Sequence, residues 1–318
     1  FLNVKEEKEN KKAKKPLLDY SKYFAIFSSI IFLAGVIFTA TKGLALGIDY
    51  QAGSDISLVT EKKLSSKELT KDLKELKLTK VEIERRDKEA DLRVKDILKK
   101  DKVEEVKSYF ENKYKANVDI GVVSNVVKQE LIKNAIFAIL VSLVGIIIYI
   151  SIRFHISFGI CSVLCLLHDV LLMTSFMAIS RVEVDSMFIA AVLAIIGYSI
   201  NNTIVVFDRI RENLNGKNIS KLTDKEITDV ANISMKQTAL RSVYTSLTTI
   251  IPVIALIILG SREVLSFNLA MTVGLIAGTY SSLFIAPLLW TKFAKLGYNK
   301  KQKIYSEKTE KTITGIND

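Results

Sequence analysis

Apolar residues gather into six long runs along the chain, at 24–41, 134–152, 156–179, 186–206, 242–260 and 265–290. A helix of about 20 residues crosses a hydrocarbon core of ~30 Å, so each run is long enough to span a bilayer. The pattern predicts a bundle of six membrane-spanning helices. A chain of this kind is not a soluble enzyme.

Between the first two runs the periodicity shortens. DISLVT at 55–60 alternates as a strand, and SSKELTKDLKEL at 65–76 opens on serines and spaces Leu69, Leu73 and Leu76 as a helix. VEIER at 81–85 and EADLRVKD at 89–96 alternate again, with RDK at 86–88 as the turn between them. KVEEVKSYFENKY at 102–114 turns Val103, Val106 and Phe110 to one side of a helix, and ANVDIGVVS at 116–124 closes as a strand. The order βαββαβ is that of a ferredoxin-like α+β unit. The predicted organisation is therefore a tail at 1–22, span one at 23–41, an α+β domain at 42–133, spans two to six over 134–290, and a tail at 291–318. Within the fifth span's approach, TDKEITDVANISMKQTAL spaces Ile227, Val230 and Ile233 helically, which predicts an interfacial helix feeding that span.

Composition sharpens this picture. Of 45 Lys and Arg and 34 Asp and Glu, Asp169 alone falls inside the apolar runs. The net charge of +11 is distributed by loop. The N-terminal tail, Arg153, segment 208–241 and the C-terminal tail carry +10 between them, whereas 181–185 and 262–263 together carry −1. The positive-inside rule then puts both termini and 208–241 in the cytoplasm and the domain 42–133 outside, where a long translocated segment escapes the rule. The charge reads as a topology signal and an attraction to anionic membrane lipid, not as a nucleic-acid footprint. Cys161 and Cys165 lie four apart in one run and read as packing residues, with no metal or disulfide framework. The first run lacks a clean cleavage site, so it is expected to remain as a span. A first residue of Phe1 rather than Met suggests a fragment or one half of a longer polypeptide.

Polar groups inside the runs are the candidates for chemistry, because they are costly in lipid unless they face protein or water. Span four holds Asn201 and Asn202. Ala190, Ala194, Gly197 and Asn201 share one narrow helical face that another helix can approach, while Asn202 lies around the helix from it. Arg241 opens span five at a depth similar to Asn202, followed by Thr245, Thr248 and Thr249, and Pro252 frees the carbonyl of Thr248. His168 and Asp169 stand mid-span in span three. Either they are an internally satisfied pair or Asp169 is functional. Gly274 and Gly278 form a GxxxG face on span six, continued by Ser281 and Ser282, which reads as helix packing. The outer domain shows no catalytic constellation, and no enzyme activity is expected.

These residues resemble a family. GYSINNTIVVFDRIREN at 197–213 looks like the fourth-span signature of SecF, the accessory-subunit family of the bacterial Sec export machinery. GIDYQAGSDI at 47–56 resembles the motif that follows its first span. HDV at 168–170, RSVYTSLTT at 241–249 and GLIAGTYSSLFIAPLLW at 274–290 match its later spans. The resemblance covers about 40–300 and implies a relative of the resistance–nodulation–division transporters. It implies six spans that pair with SecD, or with a fused SecD half, and a role in protein secretion at the translocon with its channel, its motor and unfolded exported chains. The proton or sodium gradient would drive it, with no bound cofactor.

Two positions depart from the family pattern. Ala52 stands where a glycine is usual. Asn202 stands where the fourth-span motif carries an aspartate, and an amide has no titratable proton near neutral pH. Arg241 matches the family's span-five arginine. Asp208 matches the aspartate of the DRIRE segment and reads as an interfacial anchor. The coupling ion is therefore expected first on a carboxylate of the SecD-like half, with Asp169 the second candidate. The alternatives are a small-molecule or lipid exporter of the same superfamily, and a scaffold that works without the gradient.

Overall fold

The computed structural model describes residues 16–60, 64–78, 81–86, 88–215, 217–261 and 264–296. The basic tail before Pro16, Asp87 of the expected turn, the pair 262–263 and the tail beyond Leu296 lie outside the described residues. Six helices are long and apolar enough to cross a membrane: Leu18–Lys42, Asn125–Ile150, Ile156–Ser180, Ser186–Asn213, Asp224–Leu259 and Leu265–Phe293, here spans one to six. The rest holds one small antiparallel sheet and shorter helices. The chain divides into two compact units, one of residues 44–139 and 182–189, the other of 1–43, 140–181 and 190–318.

In the smaller unit the elements run β1 (Gly53–Val59), α1 (Ser66–Glu75), β2 (Val81–Arg86), β3 (Glu89–Val94), α2 (Lys100–Tyr114) and β4 (Asn117–Val123). The sheet order is β2-β3-β1-β4, antiparallel throughout. Alternation makes one face: Ile56 and Leu58 of β1, Leu92 and Val94 of β3 and Val118 of β4 are buried against Leu69, Leu73, Val106 and Phe110 of the helices. Val103, expected inward with them, is only half-buried. Asp72 is fully buried at the helix pair, where it accepts hydrogen bonds from Tyr114 Oη at 2.5 Å and Tyr109 Oη at 3.2 Å and pairs with Lys113. Asp72 holds the Lys113 ammonium well above its usual range. Burial first, and Asp72 second, do the same for the Tyr114 hydroxyl. The cluster ties the two helices of the domain together electrostatically.

The GIDY segment before β1 is tied down by backbone bonds. Gly47 N donates to Val184 O at 2.9 Å, and Ser186 N donates to Asp49 Oδ2 at 2.9 Å. Arg93 forks onto Glu183, with Nη2 to Oε2 at 2.6 Å. At the turn into β1, Ala52 adopts φ 64°, ψ 154°, a region that glycine reaches without cost and a Cβ does not. Alanine at this position thus carries strain. Ala52→Gly is expected to stabilise this unit by about 1 kcal/mol, read as a higher midpoint in thermal unfolding. An unchanged or lower midpoint would contradict it.

In the larger unit, spans three, four and six build the core around Phe158, Phe207 and Trp290. Phe158 stacks on Trp290 with ring centroids 5.7 Å apart and meets Phe207 edge-on at 5.0 Å. Span one lies against span three, and its Phe24 stacks on Tyr280 and Phe284 of span six. The fifth span is longer than the sequence pattern suggested. The segment expected as a separate interfacial helix is the first part of one unbroken 36-residue helix, opened by a capping box of Thr223 and Glu226. Its buried face runs through Ile227, Val230, Ser234 and Met235. Ile233, expected on that face, is 48% exposed, because a 3.6-residue turn favours the position after it.

Candidate functional site

Asp169 is completely buried, and three side chains from three helices converge on it. Its Oδ2 accepts hydrogen bonds from Ser199 Oγ of span four at 2.5 Å and Ser281 Oγ of span six at 3.0 Å. Its Oδ1 lies 2.9 Å from Nδ1 of the neighbouring His168. The His168 ring stands edge-on to Tyr280 at 5.8 Å, and Tyr280 Oη pairs with Ser28 Oγ of span one at 2.8 Å. His168 Nε2 is buried with no hydrogen-bond partner among the described residues.

Local backbone puts these groups together. Span six makes a π turn at Ser281–Ile285, which inserts an extra residue into the helical repeat. Ser281 and Ser282, adjacent in sequence, are both fully buried there. Ser281 serves Asp169, while Ser282 Oγ pairs with Thr203 Oγ1 at 2.8 Å and donates to the Ser199 carbonyl at 3.4 Å. Gly278 lets span six come in this close. A Cβ on it would stand 3.2 Å from Ser199 Cβ and 3.5 Å from Asp169 Oδ2. Gly274 does the same one turn earlier, where a Cβ would stand 2.5 Å from Ile195 Cγ1 and 2.8 Å from Met173 Sδ.

The two asparagines part company. Asn202 is buried, and its Nδ2 has no partner among the described residues. Asn201 faces out, together with Ala190, Ala194 and Gly197. Nothing lies within 4 Å of a Cβ built on Gly197, so no other described residue packs on the stripe there. The sequence placed these four residues on one face, and the structure leaves that face uncovered.

Spans four and five run antiparallel. Tyr198 Oη donates to Ser246 Oγ at 2.9 Å, and Asn213 Nδ2 donates to Ser234 Oγ at 2.8 Å. That pairing brings Asn202 to the height of Ser242, beside Arg241. Height is shared but direction is not: Asn202 points inward, and Arg241 is exposed. Arg241 lines a cleft of about 260 Å³ with Ile204, Val205, Asp208, Glu212 and Thr238. Asp208 there accepts from Arg211 Nη2 at 2.5 Å. Thr245 is half-buried and spends its hydroxyl on the Arg241 carbonyl at 2.8 Å. The structure therefore does not gather Asn202, Arg241, Asp169 and Thr245 into one cluster. It makes a buried polar centre at Asp169 and an open charged cleft at Arg241.

Ser199, Thr203, Tyr280 and Ser28 belong to the centre and were not legible as such, since a serine in an apolar helix usually bonds its own backbone. Cys161 and Cys165 are free and buried in the core of the unit.

Comparison with known proteins gives this arrangement a family. Residues 101–296 match the family described as protein export membrane protein SecD/SecF, C-terminal. The protein translocase subunit SecDF of Bacillus subtilis is 37% identical over 298 residues, which are 91% of this chain but 40% of that protein. The protein translocase subunit SecF of Sebaldella termitidis is 38% identical over 310 residues, covering 92% of this chain and 96% of that one. The crystal structure of SecDF, a translocon-associated membrane protein from Thermus thermophilus, superimposes with a TM-score of 0.79 at 30% identity, over 89% of this chain and 39% of that one. The chain thus spans about two fifths of the SecDF proteins it matches and nearly all of the SecF protein. Six apolar helices and these relatives make it a multi-pass cell-membrane protein, and it belongs to the SecD/SecF family of protein export membrane proteins.

Proposed function

We propose that this chain is an accessory subunit of the Sec protein translocase, and that it assists export across the cytoplasmic membrane together with a SecD-like half, using the proton or sodium gradient. The observation that carries the pairing is the uncovered face of span four. An asparagine turned to lipid is costly, and Asn201 heads an exposed stripe of Ala190, Ala194 and Gly197, with none of the other described residues against Gly197. Small residues of this kind let a second helix come close and hydrogen-bond the amide. The SecD-like half is the partner that would cover it, and the relatives in which both halves form one chain support that reading. The broad apolar faces of span two, such as Ile136, Phe137 and Leu140, then meet lipid.

The charge of the short loops sets the orientation: termini and 208–241 cytoplasmic, and the βαββαβ unit outside as a ferredoxin-like domain that holds or moves the exported chain without chemistry of its own. Arg241 lines the cytoplasmic cleft of the ion pathway, at the height of the buried amide of Asn202.

Two measurements test this. A cysteine introduced by Ser108→Cys should be labelled from outside and one introduced by Asn215→Cys should not. The reverse pattern overturns the orientation. Export assayed with the SecD-like half present should fall sharply on adding an uncoupler, and fall sharply also in Arg241→Ala but modestly in Asn202→Ala. Export indifferent to the uncoupler would leave a gradient-independent scaffold in its place.

A further inference from the structure

A carboxylate that serves only to hold helices together should end in a closed network, because every buried polar group left open is costly. The centre at Asp169 is closed on one side and open on the other. Both hydroxyl contacts fall on Oδ2, Oδ1 meets His168 Nδ1, and the far nitrogen of the same ring, Nε2, is buried without a partner among the described residues. The residue beside Asp169 is thus a base with an unused valence, in a position where a lone ionised carboxylate is disfavoured.

We propose that the His168–Asp169 pair, held by Ser199 and Ser281, is a proton-binding site of this chain. With one proton released the pair is a carboxylate facing an Nδ1–H imidazole, net charge −1. With it bound the pair is a neutral imidazole and a carboxylic acid: Nε2 takes the proton, and the Nδ1 proton passes to Asp169 Oδ1 across their 2.9 Å contact. Only an N–H or O–H bond forms or breaks, and the proton enters or leaves at Nε2, the open end. The titratable groups turned toward Asp169 among the described residues are His168 and Cys165 on span three and Tyr280 on span six. From span four comes the hydroxyl of Ser199, and from span one that of Ser28, through Tyr280.

A proton suits this donor set better than a sodium ion. Ser199 and Ser281 both donate to Oδ2, so their lone pairs are not arranged around a shared cation position. The pair also sits where spans one, three, four and six meet, so a change of one unit charge in this low-dielectric interior acts on four helices at once. Use of the site in driving export rests on the function proposed above; proton binding itself does not.

The test is an infrared difference spectrum between alkaline and acid pH, taken on the full chain in lipid vesicles. The parent protein should show a protonated-carboxyl band that is lost in Asp169→Asn. Ser199→Ala should keep the band and shift the pH at which it appears. A parent-like spectrum from Asp169→Asn overturns the proposal, as does a spectral change that follows sodium at fixed pH instead of pH. Where Asp169→Asn fails to fold, Ser199→Ala decides: an unmoved pH dependence overturns the proposal. Export with the SecD-like half then separates the two readings, because a band that titrates while export ignores an uncoupler upholds the site and removes the gradient-driven function.

Discussion

Phe110→Ala should strongly destabilise the small α+β unit while leaving the spans in place. Phe110 is fully buried between the helices and the sheet, edge-on to Tyr109 at 5.5 Å and stacked on Tyr114 at 6.1 Å. Truncating a buried phenylalanine costs about 3–5 kcal/mol, against a total of roughly 5–15 kcal/mol for a whole domain. The loss also loosens the helix that carries Tyr114 and Lys113 to Asp72, so two supports weaken together. Hydrogen exchange on the full chain is the measurement, with the amides of β1 and β3 losing protection and those of span three keeping it. Val103→Ala, at a half-buried position of the same helix, should change little. Retained protection in Phe110→Ala would mean the core does not depend on this ring.

Gly35→Leu should have an effect of similar size on the membrane bundle. A Cβ built on Gly35 would stand 2.3 Å from Ser175 Cβ and 2.6 Å from Ser175 Cα. The obstacle is therefore backbone of span three, which cannot swing aside as a flexible side chain would. Overpacking typically costs about 1–3 kcal/mol, and a contact with main chain puts this case at roughly 3 kcal/mol or more by the same rule. Thermal denaturation in detergent should show a clearly lower midpoint for Gly35→Leu. Gly145→Leu is the control, since nothing lies within 4 Å of that position on span two. Equal midpoints for the two variants would argue against the close approach of spans one and three.

How much of this could be read from the residues depends on what each pattern measures. Long apolar runs report span length and strand alternation reports one buried face, so six spans and the order βαββαβ were legible. Asp169 was legible because it is the one acid within the runs. Its partners were not, because Ser199 and Ser281 look like the many serines that bond their own helix, as Ser162 does to Phe158 O at 2.9 Å. Sequence could place Asn201 and Asn202 on different faces of span four. Only packing shows that the first is left outside and the second enclosed. The π turn at 281–285 breaks the periodicity on which face assignments rest, and Gly35 had no motif to mark it. Reasoning from residue types put the coupling ion first on the partner half. Burial of Asp169 under three converging donors is what draws attention back to this chain.

Span five extends well beyond the thickness of a bilayer. Its 36 residues reach about 54 Å at 1.5 Å per residue, against ~30 Å of hydrocarbon. Pro252 interrupts the hydrogen-bond ladder near its far end and is where such a helix bends. From Pro252 back to Asp224 is an arm of about 42 Å on the same rise. A change of bend of about 10° at the proline would sweep Asp224 sideways by roughly 7 Å, from the geometry of a rigid helical rod. Asp224 is bonded to Lys295 at the end of span six, at 2.9 Å, so that sweep would be felt first as the parting or forming of one ion pair in water.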